Sequence, residues 1–144
     1  MLNGDAFIEE QESPLTMTTI SSRGRVLVVD DEAACCLALE MLLTDEGFQV
    51  DVAHDGAQAL ERMAESPPDV LLSDIRMPGM DGLALLRAVR ATGDLPVILM
   101  SADSGVDDAE LRRMGATGYV VKPLDFDDVI RAIDDALVGR PPPG

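Results

Sequence analysis

Polar side chains of a particular kind stand where apolar runs stop. Asp30 and Asp31 follow "RVLVV", Asp74 closes "DVLLSD", Ser101 follows "PVILM", and Lys122 follows "GYVV". Carboxylates gathered in one place repel one another and raise each other's pKa unless a cation joins them. Hard oxygen ligands with an open side suit Mg2+, which is held through one or two carboxylates and completed by water and phosphate. An ammonium and a hydroxyl beside them complete a site for a phosphoryl group, whose charge calls for metal and lysine together. Lys122 is the single lysine among 11 Lys and Arg residues. A compact ammonium meets a phosphoryl oxygen as a point charge, whereas a guanidinium fork would compete with the metal for space. Strands do end in polar residues where they meet water, but that explains poorly an acid doublet closing an apolar run, or the sole lysine. Nucleotide-binding turns place glycines after such strands so that phosphate meets bare N–H groups. This chain places acids there, so phosphate chemistry should depend on a divalent cation.

The elements that must position these groups alternate along the chain. "RVLVVD", "QVDVAH", "DVLLSD", "PVILMSA" and "GYVVKP" read as strands, the second less buried because apolar and polar residues alternate in it. Between and after them, "EAACCLALEMLLTDEGF", "DGAQALERMAES", "DGLALLRAVRAT", "VDDAELRRMG" and "DFDDVIRAIDDALVG" read as helices. Gly47 is a C-cap signal, Asp55 and Asp81 are N-cap signals, and Pro78-Gly79 forms a tight turn. Five β-α units predict a parallel sheet with helices on both faces, and right-handed crossovers make it a doubly wound three-layer sandwich. Ligands of such sheets sit at the carboxyl ends of the strands, where the acids, Ser101 and Lys122 collect.

The 144 residues suit one domain. A net charge of −16 argues against direct nucleic-acid binding and against an anionic membrane surface. No apolar run is long enough to span a membrane, and no signal core opens the chain, so the expected location is cytoplasmic. Adjacent Cys35 and Cys36 cannot pair without severe distortion, match no zinc pattern, and read as two reduced thiols on a helix. Residues 1–22 read as a flexible acidic extension, within which Met17 is an alternative start. Residues 23–139 form the domain, and residues 140–144 a Pro-rich tail.

The motifs "VLVVDDE", "LLSDIRMPGMDG", "LMSA" and "GYVVKP", in this order and spacing, resemble the receiver domain of two-component response regulators, in its single-domain, chemotaxis-regulator-like form. The resemblance covers roughly residues 24–138. It implies a flavodoxin-like (βα)5 fold with strand order 2-1-3-4-5. It implies that Asp74 accepts a phosphoryl group from a sensor histidine kinase or phosphotransfer protein. Asp31, Asp74 and the backbone carbonyl of Arg76 would hold Mg2+, with Asp30 assisting through bound water. Ser101 and Lys122 would contact phosphoryl oxygens, and Lys122–Pro123 would be a cis bond that aims the lysine. Ser101 would move on phosphorylation and let Tyr119 turn inward. Helix 4, strand 5 and helix 5 would then meet a downstream protein effector, and a homodimer would form through the same face. Phosphotransfer and slow dephosphorylation would be the chain's only catalysis, so it is expected to be a switch rather than an enzyme.

Several residues depart from or add to that pattern. Arg76 and Asp103 lie two residues past Asp74 and Ser101 and would form an ion pair across the mouth of the site. Cys36 and Leu37 replace the family's usual polar residues, as an exposed docking patch or as local core. "DSGVDDAELRRMG" is about one residue short of the usual helix 4 spacing, and His54 reads as solvated. No DNA-binding segment follows residue 138, which points to output by protein contact or onward phosphotransfer; a receiver fragment of a larger regulator is the alternative. Two rival functions are a phosphorylation-independent binding module and a Mg2+-dependent phosphohydrolase. The second would need a substrate pocket and another acid–base group, and "DIRMPG" supplies neither.

Overall fold

The structure, a computed structural model, describes residues 22–103 and 105–138. All but the last residue of the expected extension over residues 1–22, with the alternative start Met17, and the tail at 140–144 lie outside the described residues. The chain runs β1 (Arg25–Val29), α1 (Ala33–Asp45), β2 (Gln49–Ala53), α2 (Gly56–Glu65), β3 (Val70–Asp74), α3 (Gly82–Thr92), β4 (Val97–Ser101), α4 (Asp108–Arg113), β5 (Gly118–Val121) and α5 (Phe126–Val138). All strand pairs are parallel, in the order β2-β1-β3-β4-β5. This is the doubly wound, flavodoxin-like order that the resemblance implies.

The alternating sides of each strand build two cores. Val26, Val28, Val70, Leu72, Ile98 and Met100 face one way, against Leu39 and Leu43 of α1 and Val129 and Ile133 of α5. Leu27, Val29, Leu71, Val97 and Leu99 face the other way, against Leu85, Leu86 and Val89 of α3 and Leu111 of α4. Strands β3 and β4 are buried throughout, while edge strand β2 is buried only at Ala53. Its alternating sequence anticipates that difference.

Local chemistry sets the helix ends. The side chains of Asp55 and Asp81 accept from the amides of Gln58 and Ala84, as expected of N-caps. Gly47, with φ +99°, lets Phe48 N–H reach back to the Leu43 carbonyl and close α1. Helix α4 has only six residues and is shorter than its sequence suggests. Asp107 caps it late by accepting from Ala109, and Gly115, at φ +111°, ends it early.

The structure divides the two alternatives left open for Cys36 and Leu37, local core for the first and exposed surface for the second. Cys36 is 2 % exposed and belongs to the α1–α5 core, whereas Leu37 is 56 % exposed. Helix α1 is apolar nearly all round, so its sequence does not tell the buried stripe from the outward one. Both cysteines are free thiols.

Candidate functional site

The strand order reverses between β1 and β3, and the groups singled out in sequence meet beside that point, as the geometry of open parallel sheets requires. Asp30 is wholly buried just past β1, Asp74 is 7 % exposed at the end of β3, and Ser101 is buried at the end of β4. Lys122 Nζ reaches across the strand ends to Asp30 Oδ2 at 2.8 Å and Asp74 Oδ2 at 3.3 Å. Its backbone amide is fixed to the Ser101 carbonyl at 2.8 Å, and the Lys122–Pro123 bond is cis, as expected.

Side-chain oxygens of Asp30, Asp31 and Asp74 lie within 4.8 Å of one another. This all-carboxylate donor set, with Asp31 exposed on its outer side, is positioned to coordinate a divalent cation and suits Mg2+. Asp30 Oδ1 accepts from the Glu32 amide at 2.9 Å and its Oδ2 from Lys122. Both carboxylate oxygens of Asp30 thus already accept a hydrogen bond.

The electrostatics follow from burial and proximity. Burial raises the pKa of Asp74; Lys122 opposes that rise and the charge of Asp30 adds to it. The result is a more basic carboxylate. Burial alone would lower the pKa of Lys122, but its hydrogen bond and charge contact with Asp30, joined by Asp74, outweigh that and raise it. The lysine is therefore an ammonium throughout the neutral range. Burial pushes the thiol of Cys35 up to about 12 and that of Cys36 up to about 11, with Asp30 contributing to both. Both remain protonated donors at neutral pH.

Arg76 and Asp103 pair as expected, at 3.0 Å, along a cleft also lined by Glu32, Asp74, Ala102 and Lys122. The Gly105 backbone amide, then Arg76, hold the Asp103 carboxyl below the usual range. Asp103 also joins the two residues of the expected switch. Its amide donates to Ser101 Oγ at 2.9 Å, and its carbonyl accepts from the Tyr119 hydroxyl at 3.3 Å. The Tyr119 ring packs partly buried against the β1–β3–β4 core on the α3 side.

Three contacts were not foreseen from sequence. Glu32 is a further acid facing Lys122, at 3.6 Å. The Cys35 thiol stands close enough to the Asp30 carboxylate for that acid to help raise its pKa. His54, although exposed, is not merely solvated, because its ring lies against the Asp30 carbonyl. The adjacency of Cys35-Cys36 to the acid doublet was the only signal for the second contact, and nothing in the sequence signalled the third.

A family model described as "Response regulator receiver domain" matches residues 26–134. The DNA-binding transcriptional regulator NtrC of Escherichia coli (strain K12) is 44 % identical over 117 residues, covering 80 % of this chain and 25 % of that protein. The transcriptional regulatory protein ZraR of the same organism is 42 % identical over 114 residues, covering 78 % and 26 %. The chain thus spans about a quarter of the length of these curated relatives. Among solved structures, the receiver domain of Francisella response regulator 1452 superposes with a TM-score of 0.75 at 30 % identity, covering 81 % of this chain and 98 % of that one. Among the described residues, no helix is long and apolar enough to cross a membrane.

Proposed function

The chain belongs to the response regulator receiver domains, and from that premise we propose that Asp74 is its phosphoacceptor, charged by a phosphohistidine on a sensor kinase or phosphotransfer protein. The observation that carries this reading is an ammonium 3.3 Å from a nearly buried, unusually basic carboxylate at the sheet's switch point. A carboxylate oxygen of Asp74 forms the new O–P bond as the P–N bond to the imidazole breaks, and the nitrogen keeps the electron pair. Lys122 meets one phosphoryl oxygen. The Ser101 hydroxyl, which now accepts from Asp103, turns its own proton toward another. Asp31, Asp74 and the Arg76 carbonyl would hold the divalent cation, which when bound would supply positive charge beside these acids.

The switch follows from the same contacts. Movement of Ser101 toward the phosphoryl group breaks its bond to the Asp103 amide, and the carbonyl of that residue anchors Tyr119. A phosphoryl group that favours the moved hydroxyl shifts the population toward a different setting of this loop and of Tyr119. The face built from α4, β5 and α5 would read that setting, by meeting an effector or a second copy of the chain.

The kinase or phosphotransfer partner fits the outer face of α1. Ala34, Leu37, Ala38 and Met41 are exposed at helical spacing, with Met41 at 65 %. This apolar strip begins directly after the acid doublet, where a helix of the donor protein would bring its phosphohistidine over Asp74.

Incubation with a small phosphodonor and Mg2+ tests the reading. Intact mass should rise by one phosphoryl group, and the rise should be absent in Asp74→Asn and in chelator. Modification of Asp74→Asn to the same extent would reject Asp74, and repeated turnover of a phosphate ester would favour a hydrolase. The Arg76–Asp103 pair bears on the lifetime of the product. Arg76 is 77 % exposed and Asp103 42 %, so the pair adds little stability. Across the mouth of the cleft it hinders an attacking water. Arg76→Ala should speed loss of the phosphoryl group by about threefold, the rate equivalent of a fraction of a kcal/mol in barrier; decay at the wild-type rate would leave the pair without a role.

A further inference from the structure

The carbonyl of Asp30 holds two side-chain contacts that the chemistry above does not use. Cys36 Sγ donates to it at 3.2 Å, and His54 Nδ1 lies 3.2 Å from it. A carbonyl oxygen offers two lone pairs and no proton, so the imidazole contact is attractive only with the hydrogen on Nδ1, and that assigns the tautomer.

The ring takes the place of a backbone group. Asp30 N–H donates to the Ala53 carbonyl at 3.1 Å, which carries the β1–β2 ladder one step past its last paired residues, Val29 and Ala53. In a continuing parallel ladder the Asp30 carbonyl would next accept from the amide of residue 55. Asp55 is instead the N-cap of α2. Gln58 Oε1 accepts from the His54 amide at 2.7 Å, so the residue that carries the ring is itself held.

We propose that His54, together with Cys36, is a positioning residue for the cation site: their hydrogen bonds to the Asp30 carbonyl fix the Asp30–Asp31 backbone so that both carboxylates face Asp74. This rests on the reading of the acid cluster as a divalent-cation site. Asp31 is exposed and depends on its backbone for placement, so loosening the turn should weaken cation binding more than it weakens the fold.

Calorimetric titration of the full chain with Mg2+ tests the proposal, with His54→Phe and His54→Asn as the informative pair. Phe keeps a ring but cannot donate, whereas Asn restores an N–H donor at similar reach. His54→Phe should bind Mg2+ about fivefold more weakly, the scale of one neutral hydrogen bond, and His54→Asn should stay within about twofold of wild type. Cys36→Ala should weaken binding similarly while Cys36→Ser retains it, which supplies a second pair should a His54 variant melt early. Mg2+ affinity equal to wild type in His54→Phe and Cys36→Ala, or His54→Asn as weak as His54→Phe, would overturn the proposal. A wild-type protein that fails to bind Mg2+ would overturn the underlying reading, and the proposal with it.

Discussion

Lys122→Ala should destabilise the metal-free protein by about 3–5 kcal/mol, the range for removing one partner of a buried ion pair. The reason lies in what Asp30 keeps. That carboxylate has no exposed surface, and Lys122 is its one cationic partner among the described residues. Without the lysine it retains only a neutral donor, the Glu32 amide, while Asp74 and Glu32 lose the same ammonium. The pH dependence has a definite sign. Because the pKa of Lys122 is raised on folding, its contribution is fully present below the ordinary lysine value of 10.5 and is lost as pH rises through the folded value. Titration of the lysine itself should therefore add no pH dependence to the deficit across the neutral range. Saturating Mg2+ should restore part of it, since the cation neutralises the same acids and binds only the folded chain. Lys122→Arg should retain most of the stability but accept a phosphoryl group at least about tenfold more slowly, because the guanidinium fork cannot enter as a point charge beside the metal. Urea denaturation with and without Mg2+, together with phosphorylation rates, separates the two effects. A stable Lys122→Ala protein would mean that Asp30 is held by other means, and a wild-type rate in Lys122→Arg would show that the lysine's shape is immaterial.

The lysine also illustrates which parts of the site were legible in the sequence. Parallel strands buried on both faces spell continuous apolar runs, so the residues that end them mark the chemical edge of the sheet. Asp30, Asp74, Ser101 and Lys122 were identifiable on that ground alone. The cysteines and His54 were harder for a physical reason. Helix α1 lacks a polar face, so nothing in "AACCLALEM" says that Cys36 points inward and Leu37 outward. His54 follows an edge strand that alternates with solvent, where a single polar residue is ordinary. Its contact with Asp30 depends on β1 and β2 lying side by side, which is a matter of register rather than composition. The early end of α4 depends likewise on a cap bond and a glycine conformation, which spacing alone does not specify.

Gly82→Ala is the substitution whose outcome is decided most clearly by competing magnitudes. Gly82 opens α3, and alanine is the better helix former by about 1 kcal/mol, so local propensity favours the change. Space opposes it. A Cβ at this position would collide with the Asp74 carbonyl oxygen and stand 2.8 Å from the Ile75 Cα, and both neighbours are backbone. The Gly82 amide is already bonded to the Ile75 carbonyl at 2.8 Å, so the helix start cannot withdraw without breaking that link. From the other side, Gly56 presses against Met80, where an added Cβ would lie 2.8 Å from the Met80 carbonyl oxygen. The "MPGMDG" loop is thus confined between two glycines and has little room to yield. Overpacking costs about 1–3 kcal/mol where side chains can adjust, and a backbone contact belongs at the upper end, so the net effect should be a loss of about 2 kcal/mol. The larger effect should fall on chemistry. The collision is with the residue that bears the proposed nucleophile, and a displacement near 1 Å costs roughly 100-fold in rate. Phosphorylation of Gly82→Ala by a small phosphodonor should fall by about that factor while the protein remains folded. Gly93→Ala is the matched control, since nothing lies within 4 Å of its added Cβ and its extended backbone accepts any residue. Wild-type phosphorylation in Gly82→Ala would show that the Asp74 backbone tolerates displacement, and that positioning at this strand end is less exacting than its close contacts imply.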